Sequence, residues 1–88
     1  MKLEWSDKAW EDYLHWHHTD VATWKLIRAL IRHTQQHPFR GLGRPKELQR
    51  DFKGWWSRRI TDKDRLVYRV RVRGDKLILE ILQCRGHY

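Results

Sequence analysis

The second half of the chain gathers side chains that can bind phosphate, stack on bases and exchange protons. They lie in three short segments, Trp55–Thr61, Asp64–Tyr68 and Gly86–Tyr88. Guanidinium groups bind phosphate through paired N–H donors, aromatic rings stack on bases, and an imidazole gains or loses a proton near neutral pH. Residues of these types, placed on short strands, are suited to binding and cleaving RNA.

Length and charge limit the class of protein before any motif is considered. Eighty-eight residues form one small domain, residues 1–88, with one modest core. Nineteen Lys and Arg stand against eleven Asp and Glu, which gives a formal net charge of +8 and a pI near 10.2. This excess of cations favours a polyanionic partner, which is nucleic acid, an acidic protein or both.

Cysteine usage and the composition of residues 1–20 bear on the compartment. Cys84 is the single cysteine, so neither a disulfide within the chain nor a zinc cluster of cysteines can form. Acidic residues interrupt the apolar groups of residues 1–20, which therefore lack the apolar run of a signal peptide or a membrane span. We expect a soluble, cytoplasmic protein without membrane contact.

Six histidines raise the question of a metal site. His33 and His37 are four residues apart on a predicted helix, and such a pair can bind zinc. Three more histidines lie near the end of the preceding helix. Neither helix supplies a Glu at the spacing of a metalloenzyme motif, so the pattern favours solvated surface histidines, with no metal and no cofactor.

The N-terminal half predicts one short strand followed by two helices. The strand covers Lys2 to Trp5. Ser6 can cap the first helix, which should end near His18, and Asp20 can cap the second, which Pro38 ends. The residues of the first helix that recur at helical spacing are Trp10, Tyr13, Leu14 and His17. The apolar stripe of the second consists of Trp24, Ile27, Leu30, Ile31 and Thr34.

From Trp55 onward the hydrophobic period changes to the alternation of strands. Arginines at positions 65, 69, 71 and 73 alternate with apolar residues, so the arginines point to one face of the strand and the apolar side chains to the other. Turn residues at 73–75 then precede a strand from Lys76 to Cys84. The order is βααβββ with one or two further short strands, an α+β fold in which two helices pack on one face of a small antiparallel sheet. The other face stays open for a ligand.

These segments, with Lys2–Ser6 and His37–Pro45, closely resemble the YoeB branch of the RelE-type toxins of bacterial type II toxin-antitoxin pairs. The resemblance covers nearly the whole chain. It implies a RelE-like fold and a metal-independent endoribonuclease that enters the ribosomal A site and cuts mRNA there. It also implies an acidic YefM-like antitoxin that folds onto the cationic face. Pairing of two copies into a homodimer stays open.

The resemblance assigns catalytic roles near the end of the sequence. In RelE-type cleavage the ribose 2′-OH attacks its own phosphate, which requires a base, cations for the phosphorane charge and an acid for the leaving 5′-oxygen. His87 is the expected acid. Tyr88 matches the family's terminal tyrosine, which orients the substrate or stacks on a base. Arg65 matches the arginine that stabilises the charged transition state.

A further set of residues is expected to bind RNA. These residues are Arg44, Arg58, Arg59 and Trp56. Arg58 and Arg59 point to opposite faces of one strand, and by resemblance Arg59 contacts phosphate, whereas Arg58 also suits folding or antitoxin binding. Trp55 and Trp56 point to opposite faces too, so one of them should be core and the other can stack on RNA or on an antitoxin helix.

The general base is where this sequence departs from the family. Its relatives usually read Gly-Lys-Pro-Glu-Pro-Leu, with the Glu as base, whereas residues 43–48 read Gly-Arg-Pro-Lys-Glu-Leu. Glu47 can serve if a bulge shifts the strand by one residue, because on a regular strand it faces the wrong way. Lys46 can instead act as a cation or as the base. In a third interpretation the site is impaired.

Two further functional classes follow from that departure and from the charge. One is a non-catalytic protein of the same fold that binds the ribosome, RNA or the antitoxin but cuts poorly. The other, which is weaker, is a small DNA-binding protein. No helix-turn-helix spacing supports DNA binding, and the cations lie mainly on predicted strands.

Overall fold

Two helices and five strands make up residues 1–87, the part of the chain that the computed structural model describes; Tyr88 lies outside it. The bounds are β1 Lys2–Trp5, α1 Asp7–Thr19, α2 Val21–Gln36, β2 Lys46–Glu47, β3 Trp56–Arg59, β4 Arg65–Arg73 and β5 Lys76–Gln83, with a 3-10 turn at Arg50–Phe52. The strand order is β1-β5-β4-β3-β2. The predicted α+β arrangement is confirmed, and β2 is the extra short strand.

One edge of the sheet differs from the expected antiparallel pattern. β1 pairs with β5 in parallel, while the other neighbouring strands pair in antiparallel. A parallel pair requires a crossover connection between its strands, and here both helices and three strands lie between β1 and β5 along the chain. The crossover places α1 and α2 on one face of the sheet.

Both predicted helix caps form. The Ser6 hydroxyl accepts a hydrogen bond from the Ala9 N–H at 2.9 Å, and a carboxylate oxygen of Asp20 accepts one from the Thr23 N–H at 3.1 Å. Each cap satisfies an N–H that the first helical turn leaves without a partner. The stripe of α2 is buried as predicted at Ile27, Leu30, Ile31 and Thr34.

The residues that recur along α1 at helical spacing face the core only in part: Tyr13 packs against it, and Trp10 and Leu14 do not. Ala9 and Asp12 are the buried residues of α1, whereas Trp10 and Leu14 are 46% and 38% exposed. Asp12 faces the sheet because its carboxylate accepts hydrogen bonds from the Lys8 ammonium at 2.7 Å and the Cys84 N–H at 3.1 Å. Hydropathy alone could not place a carboxylate inward, since only these two donors make its burial favourable.

Cys84 belongs to the core between α1 and the sheet and is fully buried. Burial raises the pKa of its thiol to about 12; the nearby carboxylates of Asp12 and Asp64 add to that rise, and Lys8 opposes it. A thiol with so high a pKa carries almost no thiolate near neutral pH. Cys84 therefore packs as a small apolar residue and offers no nucleophile.

The open face of the sheet is cationic at one end only. Along β4, Arg69, Arg71 and Arg73 form ion pairs with the carboxylates of Glu4 on β1 and Glu80 on β5, at N–O distances of 2.7 to 3.7 Å. These two carboxylates compensate much of the positive charge near β1. Within residues 1–87, the arginines and the lysine near β2 and β3 form one ion pair, between Arg59 and the exposed Asp62, so the excess positive charge is concentrated at that end.

No helix within residues 1–87 is both long enough and apolar enough to cross a membrane.

Candidate active site

A cavity of about 200 Å³ opens at the cationic end of the sheet. Its lining residues come from the loop before β2 and from the three strands β2, β3 and β4: Gly43, Arg44, Lys46, Ser57, Arg59 and Arg65. Among the described residues, none that lines this cationic cavity carries a carboxylate. Four cationic side chains around so small a volume favour binding of a compact anion such as a phosphate.

The register of β2 decides which of two adjacent side chains faces the cationic cavity. Lys46 pairs with Ser57, and Glu47 pairs with Trp56, in regular antiparallel register. Successive side chains point to opposite faces of a strand, so Lys46 shares a face with Ser57 and Arg59 while Glu47 does not. β2 contains no bulge of the kind that Glu47 would need in order to reach the cationic cavity.

Arg65 is held by the turn that precedes it. Its Nη1 donates to the carbonyl oxygens of Thr61 at 2.7 Å and Asp64 at 3.0 Å. No residue among 1–87 accepts a hydrogen bond from its Nε or Nη2, which together form the edge that binds two oxygens of one phosphate. The turn therefore fixes the guanidinium plane, and the phosphate-binding edge is left for a ligand.

Arg59 lies opposite Arg65 in the β3–β4 pair. Its guanidinium is about half exposed and forms an ion pair with Asp62, a carboxylate that is almost fully exposed. An exposed ion pair of this kind contributes little and breaks readily. Arg59 can therefore turn from Asp62 towards an anion in the cationic cavity without a large loss of stability.

Arg58 does not take part in this surface, which corrects its assignment to RNA binding. Its side chain is fully buried. The guanidinium donates to the carbonyl oxygens of Leu42 at 2.8 Å and Arg40 at 3.0 Å, to that of His37, and to the Tyr68 hydroxyl at 3.2 Å. All of its nitrogens are thus bonded within the protein. Arg58 ties the loop that leads to β2 onto the sheet.

Tyr68 and Gly43 complete the attachment of this loop. The Tyr68 hydroxyl donates to the Pro38 carbonyl oxygen at 2.6 Å; burial raises the pKa of Tyr68, which the hydrogen bond and charge of Arg58 oppose. Gly43 has φ +79°, and a Cβ there would lie 3.0 Å from Cβ of Arg58. Only glycine allows both this conformation and this approach, through which its carbonyl accepts from the Arg59 N–H at 2.7 Å.

Trp56 lies on the face of the sheet opposite to the cationic cavity, so its predicted contact with RNA could not be made at that cavity. Trp56 packs against the helix-side core, with its ring 4.8 Å from that of Phe39. Trp55 lies on the open face, where the Arg69 guanidinium stands 4.3 Å from its ring centroid. The alternation of β3 could have shown this in advance, because a strand that points Arg59 to the open face points Trp55 there and Trp56 away.

His87 is exposed and follows directly on a backbone contact with β4. The Gly86 carbonyl oxygen accepts a hydrogen bond from the Arg65 N–H at 3.1 Å, which brings residues 85–87, here called the tail, alongside Arg65. Two residues that the sequence did not single out also hold the tail: Asp64 accepts from the Gly86 N–H, and Gln83 donates to the His87 carbonyl oxygen. The expectation for Tyr88 lies outside the described residues.

Two histidines lie close together at the end of α2. The rings of His33 and His37 are 5.2 Å apart. Within residues 1–87, however, no group of three or more His, Cys, Asp and Glu side chains could hold a metal ion. The cationic cavity itself offers three guanidinium groups and one ammonium group, and the tail beside Arg65 carries an imidazole. Side chains of these types can serve acid–base chemistry at a phosphate.

Comparison with known proteins gives matches over nearly the whole chain. The family model described as "YoeB-like toxin of bacterial type II toxin-antitoxin system" matches residues 5–88. Toxin YoeB of Escherichia coli strain K12 is 48% identical over 88 residues, which cover 100% of both chains. A solved YoeB/ParE toxin from Agrobacterium tumefaciens is also 48% identical, covers 100% of each chain and superposes with a TM-score of 0.94.

A further solved structure contains a toxin together with its antitoxin. It is a heterotetrameric complex of a YoeB-YefM toxin-antitoxin from Staphylococcus aureus, and its matched chain is 30% identical with a TM-score of 0.85. The match covers 100% of the present chain and 98% of that one.

Proposed function

This chain belongs to the YoeB-like toxins of bacterial type II toxin-antitoxin systems, and from that premise we propose that it is a ribosome-dependent endoribonuclease that cuts mRNA in the A site. The observation that carries the proposal is the cationic cavity, in which Lys46, Arg59 and Arg65 meet beside the tail that bears His87. The reaction needs no metal or cofactor.

The proposed reaction is an in-line transfer at phosphorus. The 2′-oxygen forms a bond to phosphorus and gives its proton to the base, while the bond from phosphorus to the 5′-oxygen breaks. His87 donates a proton to that 5′-oxygen, so the products are a 2′,3′-cyclic phosphate and a 5′-hydroxyl. Arg59 and Arg65 stabilise the additional negative charge on the phosphorane oxygens.

The spacing of the strands is consistent with base and acid on opposite sides of the phosphate. Lys46, Ser57, Val67 and Gln83 form one row across β2, β3, β4 and β5. The row spans three strand spacings, roughly 14 Å. Lys46 lies at one end, and the tail begins beyond Gln83 at the other, so a phosphate bound by Arg65 between them would have the 2′-oxygen and the 5′-oxygen facing opposite groups.

Lys46 is the proposed general base, in place of the family's Glu. It faces the cationic cavity, whereas Glu47 points to the other side of β2. Nζ of Lys46 has a lone pair only as the free amine, so the base of this proposal is that amine. The amine can then accept the proton of the 2′-OH.

The ribosome has a physical role in this proposal. The cationic cavity is small and open, so it can hold one phosphate but does little to bend the flanking nucleotides. In-line attack needs the 2′-oxygen opposite the leaving 5′-oxygen, and holding reactants in that geometry supplies a large part of the acceleration. The decoding site of the ribosome would hold the mRNA in the required bend, and free RNA would be a poor substrate.

A YefM-like antitoxin is the proposed protein partner. YefM is the antitoxin that accompanies YoeB in the S. aureus complex. A net charge of +8, with most of the excess positive charge at one end of the open face, favours an acidic segment that folds on binding and covers the cationic cavity. Inhibition would follow because the covered cations can no longer bind phosphate.

The test of this function is cleavage of a defined message on translating ribosomes. Purified protein is added, and new 5′ ends are mapped by primer extension, with the same message free of ribosomes as the control. Discrete ends in phase with the A-site codon are expected on ribosomes only. An intact message at saturating protein, with the protein still bound to ribosomes, would replace the nuclease proposal by the binder that cuts poorly.

Three substitutions at Lys46 separate its possible roles. Lys46→Ala and Lys46→Arg should each reduce the cleavage rate by about 100-fold, because arginine keeps the charge but cannot accept the proton. Lys46→Glu should retain cleavage, since a carboxylate there can act as base. The measurement is single-turnover cleavage on ribosomes, with Glu47→Gln as a matched control that should cut at the wild-type rate.

Other outcomes of this series have a definite meaning. Full activity in Lys46→Arg would show that Lys46 acts only as a cation. Loss of activity in Glu47→Gln, with Lys46→Ala unaffected, would return the base to Glu47. A wild type that does not cut, together with cleavage by Lys46→Glu, would identify an impaired site.

A further inference from the structure

Asp64 uses its two carboxylate oxygens on two different parts of the chain. Oδ2 accepts a hydrogen bond from the Thr61 hydroxyl at 2.6 Å, within the turn between β3 and β4. Oδ1 accepts from the Gly86 N–H at 2.8 Å, in the tail and 22 residues further along the sequence. One side chain therefore joins the β3–β4 turn to the tail.

The same turn also holds the arginine of the cationic cavity. Arg65 donates from Nη1 to the carbonyl oxygens of Thr61 and Asp64, and from its backbone N–H to the Gly86 carbonyl oxygen. The guanidinium and the tail are thus attached to the same four residues, 61–64. A shift of the tail relative to Arg65 would have to break the Asp64 contact.

Gln83 holds the tail from its other side. Its Nε2 lies 2.9 Å from the carbonyl oxygen of His87 and 3.2 Å from that of Gly86. A bulge between β4 and β5 skips Leu82 in the pairing, so Gln83 lies opposite Val67, where the residue is only 8% exposed. Because the amide is largely shielded from water, its bonds to the tail are not replaced by water without a penalty.

Asp64 stays ionised in this setting. Burial by itself would raise the pKa of the carboxyl, but the hydrogen bonds from Thr61 and Gly86, with the charges of Arg85 and His87, lower it below its usual 3.8. The bond to the Gly86 N–H is therefore charge-assisted at neutral pH. Since the pKa is lowered in the folded state, the stabilisation is complete well above pH 3.8 and is lost as the pH falls.

We propose that Asp64 and Gln83 are positioning residues that fix the tail against the β3–β4 turn and so hold the His87 imidazole at a set place beside Arg65. The inference rests on the proposed function, because a fixed imidazole matters only if His87 gives a proton to the leaving oxygen. A general acid must come within hydrogen-bond reach of its target, and a displacement of about 1 Å costs about 100-fold in rate.

The test compares Asp64→Ala, Asp64→Asn and Gln83→Met by single-turnover cleavage on ribosomes. Asp64→Ala should slow the cleavage step by about 100-fold. Ribosome affinity should stay within about twofold of wild type, because the contact between Asp64 and Gly86 positions the acid and does not itself bind the ribosome. Asparagine keeps an oxygen for the Gly86 N–H and should restore most of the rate. Gln83→Met, of similar size but without donors, should slow cleavage by about tenfold.

A second readout does not depend on activity. Hydrogen exchange of the Gly86 amide, followed by ¹⁵N NMR of the intact protein, should be slow in the wild type and in Asp64→Asn but fast in Asp64→Ala. Asp75→Ala is the matched control, since it removes an exposed carboxylate from the β4–β5 turn and should change neither readout. If Asp64→Ala fails to fold, the loss of rate in Gln83→Met still decides the question.

The outcomes distinguish this inference from the proposed function. Wild-type cleavage together with full activity in Asp64→Ala would overturn the positioning role, as would an Asp64→Asn variant as slow as Asp64→Ala. Fast exchange at Gly86 in the wild type would show that the contact does not persist in solution. Failure of the wild type to cut would remove the nuclease and the role in catalysis together, while slow Gly86 exchange would still establish the contact.

Discussion

His87→Ala should reduce mRNA cleavage on ribosomes by about 10³-fold and leave ribosome binding unchanged. The side chain is exposed and its backbone is held through Gly86 and Gln83, so its removal takes away a proton donor without disturbing the packing. The 5′-oxygen would then have to leave as an alkoxide. The measurement is the single-turnover rate at saturating ribosomes, beside an affinity measurement for the same variant.

A chemical control separates the loss of an acid from other causes. An mRNA with sulfur in place of the scissile 5′-oxygen has a leaving group that departs as a thiolate without a proton. His87→Ala and the wild type should cut this substrate at similar rates. His18→Ala, which removes an exposed histidine at the end of α1, should behave as wild type on both substrates. An equal defect of His87→Ala on the sulfur substrate would contradict the role of acid.

Arg58→Ala should lower the free energy of unfolding by about 3–5 kcal/mol, without any direct role in RNA binding. The substitution removes every donor to the carbonyl oxygens of Leu42, Arg40 and His37, and it takes a partner from the buried hydroxyl of Tyr68. Each group left without a partner away from water costs about 1–3 kcal/mol. Urea unfolding followed by tryptophan fluorescence measures the change.

The size of this loss matters because the chain is small. Domains of this kind have only about 5–15 kcal/mol of stability in total, so Arg58→Ala could leave a substantial unfolded fraction. Arg73→Ala is the matched control: it removes an exposed ion pair with Glu4 and should change stability by less than about 1 kcal/mol. An Arg58→Ala variant as stable as Arg73→Ala would show that the loop does not depend on this guanidinium.

Much of the fold could be predicted because its causes are local. Ser6 and Asp20 cap helices through contacts with residues three positions further along, and Pro38 ends α2. The alternation of β4 can be read from consecutive residues. Net charge depends on composition alone, so the excess of cations could be predicted without the fold. The parity of a strand likewise predicted that Lys46 and Glu47 would point to opposite faces.

The tertiary structure decided the points that depend on distant partners. Asp12 is buried because Cys84, 72 residues away, donates to it, and Arg58 is buried because a loop 16 to 21 residues before it covers its guanidinium. The absence of a bulge in β2 places Lys46 at the cationic cavity, a matter of how β2 pairs with β3.

The position of His87 likewise depends partly on the local sequence and partly on the folded chain. The sequence by itself determined that an imidazole, a guanidinium and an ammonium are present and on which elements they lie. Only the folded chain brought Asp64 to Gly86 and Gln83 to the His87 carbonyl, because both contacts depend on the register of β5 against β4 and on a bulge at Leu82. Register is set by packing over the whole sheet, and no short stretch of sequence contains that information.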